Sequence, residues 1–160
     1  LKKNTYLLDL GSYPGGWSQV VSQIISSGRI MSIDIKKMEP IKNVKFFKGD
    51  VLSKETKFAV LEYFKSNLDV ILSDMAADTT GNKSLDSIRT NQLCADVINF
   101  SKETLKPKGV LVSKIFMGED FLEVKNLAKS TFNKVNFFKP ESSRKESKET
   151  YLHCEILKSL

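Results

Sequence analysis

Polar residues with chemical capacity stand where short apolar runs end along this chain of 160 residues. "LLDL" at 7–10 runs into "GSYPGG" at 11–16, and Trp17, Val20, Val21, Ile24 and Ile25 then recur at helical spacing. This predicts a strand, a glycine turn and a helix with one apolar face, on which Trp17 packs while it shapes the loop. Gly11, Gly15 and Gly16 remove side chains at the turn, so helix N-terminal N–H groups and bare main chain face a ligand. The loop has neither the lysine of a Walker motif nor G-x-G-x-x-G spacing. Asp34 closes "RIMSID", eighteen residues past Gly16, where a carboxylate can accept both hydroxyls of an adenosine ribose. Asp50 follows Gly49 at the next strand end, within reach of an adenine edge. Together these point to an adenosine ligand and leave open which one. Asp74 after "DVILS" and Lys114 inside "VLVSKIF" add an acid and a cation. A lysine can snorkel from such a strand, but it is seldom buried without a partner, which favours function.

The elements that must hold these residues alternate. Strands are predicted at 6–10, 29–33, 44–48, 68–73, 110–115, 134–138 and 151–157. Helices are predicted at 17–26, 54–65, 87–105 and 119–132, with "KPKG" at 106–109 stopping the third and turning the chain. Such alternation means one α/β domain, a mostly parallel seven-stranded sheet with helices on both faces. The last two strands have only "KPESSRKESKE" between them and are expected to pair antiparallel at the end of the sheet order. In such sheets ligands sit outside the carboxyl ends of the strands. An antiparallel last strand begins on that rim, which brings Glu149 there.

Composition narrows the classes. The chain is 41% apolar and 28% charged, a globular balance rather than a disordered one. No apolar run approaches the roughly 18 residues of a membrane helix, so no membrane partner is expected. Cys94, Cys154 and the single histidine, His153, are too few and too scattered for a zinc site, and no metal is expected. His153 also lacks a nucleophile turn to serve and reads as structural. Net charge is +6, with a Lys/Arg excess in residues 1–50 and 101–160 and an acidic excess in 51–100. Basic surface favours a polyanion through counterion release, although a solvated lysine-rich surface has the same composition.

"DLGSYPGGWSQ", "GRIMSIDI", "GD" at 49–50, "SDMA" at 73–76, "VSKIF" at 112–116 and "KPESSRKESKETY" at 139–151 resemble the FtsJ/RrmJ-type ribosomal RNA 2′-O-methyltransferases. The resemblance runs in order across nearly the whole chain. It implies a Rossmann-like domain over residues 1–160 that moves a methyl group from S-adenosylmethionine to a ribose 2′-hydroxyl. The substrate it implies is a uridine of large-subunit ribosomal RNA. Gly15, Gly16 and Trp17 then lie beside the methionine part of the cofactor, Asp34 and Asp50 hold its ribose and adenine, and Asp74 also contacts it. Asp74, Lys114 and Glu149 match three of the family's Lys-Asp-Lys-Glu catalytic group. The family's first lysine lies well upstream of the glycine loop, and Lys2 and Lys3 stand too close to Asp9 to be it. A domain cut from a longer protein is therefore expected. Ala77 replaces a proline that many members carry after "SDMA".

A sulfonium methyl is already activated, so the enzyme must align it and improve a poor nucleophile. Lys114 could act as base if its pKa fell far below about 10.4. Carboxylates at Asp74 and Glu149 oppose that, which favours Lys114 as a fixed cation and Asp74 as proton acceptor. Lys139, Arg144, Lys145 and Lys148 in the tail, with Lys36, Lys37, Lys42, Lys45 and Lys48, could hold RNA phosphates. No separate RNA-binding module is visible, which suits a substrate presented by the ribosomal subunit. A monomer is expected, in a reducing intracellular compartment: the cytoplasm, or an organelle with ribosomes such as the mitochondrion. The rivals are the same chemistry on tRNA or an mRNA cap, a nucleotide-dependent oxidoreductase, and a non-catalytic RNA-binding module.

Overall fold

The computed structural model describes residues 1–159. In chain order it contains β1 (Tyr6–Leu10), α1 (Gly16–Ile24), β2 (Arg29–Asp34), β3 (Val44–Lys48), α2 (Lys54–Phe64), β4 (Leu68–Ser73), α3 (Lys83–Thr104), β5 (Leu105–Phe116), α4 (Phe121–Thr131), β6 (Phe132–Phe138) and β7 (Glu149–Leu157). The seven strands form one sheet in the order β3-β2-β1-β4-β5-β7-β6. β1 pairs parallel with β2 and β4, β2 with β3, and β4 with β5. β7 lies antiparallel between β5 and β6. The expected antiparallel pair is present, and its second strand is the one against the parallel core.

Strand alternation divides the core between the two faces. Leu8 and Leu10 point to the side where Met31, Ile33, Ile71 and Leu111 pack under α2, α3 and α4 through Val60, Phe64, Val97, Ile98 and Val124. Leu7, Ile30 and Val70 point the other way, against Val21 and Ile25 on and just after α1. Each large aliphatic side chain buried there contributes about 1.5–3 kcal/mol relative to exposure.

Three expectations are corrected. The five-residue stripe on α1 is narrower than its spacing suggested: Val21 and Ile25 are buried, whereas Val20 is 58% and Ile24 41% exposed. The helix rests on β1 and β2 along Ser18, Val21 and Ile25, so only one edge of the apolar face is covered. "KPKG" is not a turn. β5 starts at Leu105, directly off α3, and this segment carries the register shift opposite Leu68 and Val70. Gly109 lets the shifted strand close up, because a Cβ there would sit 2.9 Å from the Lys106 carbonyl oxygen. α3 starts at Lys83 rather than 87, since the Asn82 side chain accepts from the Ser84 and Leu85 N–H groups.

Candidate active site

The carboxyl ends of β1, β2, β3 and β4 enclose a cavity of about 290 Å3, whose walls include Gly11, Tyr13, Asp34, Asp50, Asp74 and Met75. Gly11 leaves β1 at φ +67°, and a Cβ there would meet the Met75 side chain at 2.5 Å and its backbone at 3.2 Å. Its N–H donates to the Ile33 carbonyl (2.9 Å). Gly15 precedes α1 at φ +112° and is closed off by Met38 and Ile41, each 2.9 Å from where a Cβ would be. No side chain caps α1, so its first-turn N–H groups have no side-chain acceptor. Gly16 has open space around it, and its lack of a side chain is not required by packing.

Asp34 ties the glycine loop to the end of β2. Its Oδ2 accepts from the Tyr13 N–H (2.9 Å) and its Oδ1 from the Lys36 N–H (2.8 Å). These bonds orient the carboxylate and leave lone pairs for a ligand. Asp50 is fixed through Oδ1 by the Leu52 N–H (2.9 Å). The two strand-end acids and Asp74 thus wall one cavity. Gly15, Gly16 and Trp17 are outside its walls.

Trp17 turns instead toward β7, its ring 5.6 Å from that of Tyr151. There a second group of residues assembles. Lys114 Nζ lies 3.1 Å from Asp74 Oδ1 and 3.4 Å from Glu149 Oε2, with the lysine side chain only 12% exposed. Strand pairing accounts for this meeting: Lys114 is opposite Tyr151, Phe116 is opposite Glu149, and Asp74 directly follows β4 beside β5. Asn91 on α3 pins the end of β5, donating to the Phe116 carbonyl (3.0 Å) and accepting from its N–H (2.7 Å).

Sequence reasoning missed two residues. The Tyr151 hydroxyl donates to Asp74 Oδ1 (2.8 Å) and lies 3.3 Å from Glu149 Oε1, while its ring stacks on Phe138. Burial, then the hydrogen bond and charge of Asp74, then Glu149, push its pKa far above the usual tyrosine value, so it remains a donor. Period-two alternation could have found it, since Tyr151 and Glu149 share a face of one strand. The other is Asp9, beneath the glycine loop. Its Oδ2 accepts from Ser18 Oγ (2.5 Å), which also meets Ser32 Oγ (2.6 Å), while its buried Oδ1 has no partner among the described residues. Burial pushes its pKa up to about 6; the Ser18 hydrogen bond opposes this, and the charges of Asp74 and Asp34 add to it. No pattern in a single sequence distinguishes Asp9 from a solvated strand acid.

The remaining sequence candidates divide by environment. His153 lies on β7 opposite Val112, 3.8 Å from Glu155, away from the rim. Cys94 and Cys154 are buried thiols, Cys154 pushed up to about 12 chiefly by burial. Lys139 is committed to its own loop, donating to the Lys145 (3.1 Å) and Ser147 (2.7 Å) carbonyls. Arg144, Lys145 and Lys148 are exposed.

Comparison with known proteins follows the same lines. The model of the FtsJ-like methyltransferases matches residues 1–156. The ribosomal RNA large subunit methyltransferase E of Pelagibacter ubique is 48% identical over 157 residues, 98% of this chain and 77% of that protein. Its Rickettsia bellii namesake is 42% identical over 155 residues, 93% and 68% of the two chains. A Plasmodium falciparum crystal structure described as a ribosomal RNA methyltransferase superposes with a TM-score of 0.85 at 30% identity, covering 98% of this chain and 88% of that one. The Methanococcus jannaschii fibrillarin structure, at 18% identity and a TM-score of 0.70 over 97% and 67% of the chains, shares the fold.

Proposed function

Because this chain belongs to the FtsJ-like methyltransferase family, we propose that it transfers methyl from S-adenosylmethionine to a ribose 2′-hydroxyl of large-subunit ribosomal RNA, at a uridine. Its 160 residues are the methyltransferase domain, and the reaction belongs in the compartment that assembles ribosomes. The observation that carries this reading is the Lys114 ammonium held between Asp74 and Glu149, with Asp74 also walling the cavity that Asp34 and Asp50 line.

The residues present fit the cofactor. Gly11 lines the cavity without a side chain, α1 has no side-chain cap, and two oriented carboxylates suit ribose hydroxyls and an adenine amine. When bound, S-adenosylmethionine supplies an electrophilic methyl on a sulfonium. Asp34 and Asp50 would hold the adenosine, and the Gly15–Trp17 turn would lie toward the methionine end. Lys114 orients the ribose oxygen and stabilises the charge that develops on it. Asp74 Oδ2, which has no partner among the described residues, would take the proton that the ribose oxygen gives up as the methyl passes to it from sulfur, which would be left as a neutral thioether. Tyr151 and Lys114 hold Asp74 through its other oxygen, and Glu149 completes the setting of Lys114.

The test is transfer of labelled methyl from S-adenosylmethionine to isolated large ribosomal subunits, followed by mapping of 2′-O-methyl positions. Incorporation at one uridine ribose is expected. No incorporation, or incorporation into bases, would overturn the reading.

A further inference from the structure

β6 presents two unlike faces. Val135 and Phe137 pack inward against the core, the Phe137 ring 4.9 Å from that of Phe121. On the other face Lys134 and Asn136 are exposed and polar, as a solvent face should be. Phe138 breaks that pattern, an aromatic side chain with 46% of its surface exposed. Its ring stacks on Tyr151 at 5.6 Å and 23°, and Tyr151 in turn meets Trp17 at 5.6 Å. One side of the Phe138 ring is therefore covered and the other is open. Tyr151 is only 8% exposed, so Phe138 is the outer end of a row of three rings. The core does not call for an aromatic ring at this position, since Val135 and Phe137 already anchor β6.

Position gives the ring its meaning. Strand pairing sets Lys114, Tyr151 and Phe138 opposite one another on β5, β7 and β6. The three side chains share one face of the sheet, and Phe138 stands two strand spacings, about 10 Å, from Lys114. Thr150 Oγ1 donates to the Phe138 carbonyl (2.6 Å), which fixes the backbone that carries the ring. The chain then enters the basic segment: Lys139 follows directly, and Arg144, Lys145 and Lys148 are exposed before Glu149. Those four cations outnumber the two acids of the segment, Glu141 and Glu146. An open aromatic face beside a reacting lysine and a cationic loop has the composition with which proteins hold single-stranded RNA, cations on the backbone and a ring against a base.

We infer that Phe138 is a stacking platform for a nucleobase adjoining the methyl-accepting ribose. The inference rests on the proposed methyl transfer to RNA and deepens it, by laying the RNA along the β5–β7–β6 row rather than over the cavity walled by Asp34 and Asp50. Stacking suits any base, because each has a π-face, so the ring fixes where the RNA lies without reading its sequence. A base held there restrains the ribose it adjoins, and orientation of the hydroxyl is what an aligned displacement requires. The Tyr151 hydroxyl donates to Asp74 Oδ1, so the ring on which Phe138 rests also steadies the acid of the transfer group.

Phe138→Leu and Phe138→Trp test this in the full chain, by co-sedimentation with isolated large ribosomal subunits over a salt series. Leucine keeps an apolar side chain against Tyr151 but removes the π-face, whereas tryptophan keeps both. Phe138→Leu should bind subunits about fivefold to a hundredfold more weakly, the range for one stacked base. Phe138→Trp should bind at the parent level or tighter. Stacking neutralises no phosphate, so the slope of log K against log salt should be the same for all three proteins. Calorimetric affinity for S-adenosylmethionine and the Tm of Phe138→Leu should stay at the parent level. Parent-level binding by Phe138→Leu would overturn the platform, and so would a flattened slope, which would trace the loss to charge. Weak binding by both variants with a lower Tm would make the ring a structural brace for Tyr151, which overturns it too. If the parent methylates subunits while Phe138→Leu binds normally, the platform fails and the methyl-transfer reading stands. If the parent transfers no methyl but binding depends on an aromatic ring at this position, the reverse holds.

Discussion

The two halves of the rim are built by different means. At the ends of β1, β2 and β3, side chains are fixed by nearby backbone: Tyr13 and Lys36 N–H groups on Asp34, and the Leu52 N–H on Asp50. At the ends of β4, β5 and β7, side chains fix one another across long stretches of chain, as Tyr151 does Asp74 from 77 residues away. The first construction resembles a mould, whose shape follows from glycines and turns. The second is a network, in which each group is placed by the others. A mould should bind without reacting, and a network should react without contributing much to binding.

The largest expected effect falls on the network. Lys114→Ala should lower single-turnover methyl transfer by about two to four orders of magnitude, the range for losing a positioned electrostatic or acid–base group. Calorimetric cofactor affinity should stay within about twofold. A parent-like rate would reduce Lys114 to a snorkelling strand residue, and a parallel loss of affinity would erase the division between the halves.

Asp34→Ala strikes the mould. It removes a charge-assisted contact worth about 1.5–3 kcal/mol, so cofactor affinity should fall tenfold or more by calorimetry. At saturating cofactor the transfer rate should hold. Unchanged affinity would mean that Asp34 only braces the loop.

Asp9, under the mould, predicts a pH signature. Its carboxyl ionises at about 6 in the folded chain against 3.8 ordinarily, so between those values the folded state holds more protons than the unfolded one. Its contribution to stability is therefore complete below about pH 4, declines as pH rises to 6, and stays low above. Asp9→Asn removes that decline. Unfolding free energies of variant and parent from urea titrations should diverge in the variant's favour from pH 4 to 6, by on the order of 1–2 kcal/mol. Parallel profiles would show that Asp9 titrates alike in both states.

The smallest effect separates members of the network. Tyr151→Phe keeps the ring against Phe138 and Trp17 and deletes one hydrogen bond, worth about 1 kcal/mol. The rate should fall about threefold to tenfold with cofactor affinity unchanged. A loss as large as that of Lys114→Ala would make the phenol a reacting group rather than a support for Asp74.

Legibility in the sequence follows the same division. The mould could be read because its parts are local: glycines after one strand, acids after the next two. Glu149 could be placed at the rim as well, since a last strand running antiparallel must begin there. The Lys114–Tyr151 register could not, because it is set by how β7 docks on β5 rather than by either segment. The α1 stripe and "KPKG" misled for a related reason. Periodicity and turn residues report what a segment can do alone, whereas contact with neighbouring strands decided which α1 residues are covered and where β5 begins.

The insertion of β7 between β5 and β6 has a consequence for synthesis. As the chain leaves the ribosome, β1 to β5 emerge first and can already shape the cavity walled by Asp34, Asp50 and Asp74. Until β7 arrives, β5 presents a free edge of backbone donors and acceptors, the kind of surface on which nascent chains pair wrongly. One event, the docking of the last strand, seals that edge and delivers Glu149 and Tyr151 to Lys114 and Asp74. An incompletely made molecule can therefore hold its cavity early, but the group around Lys114 is complete only once β7 has docked.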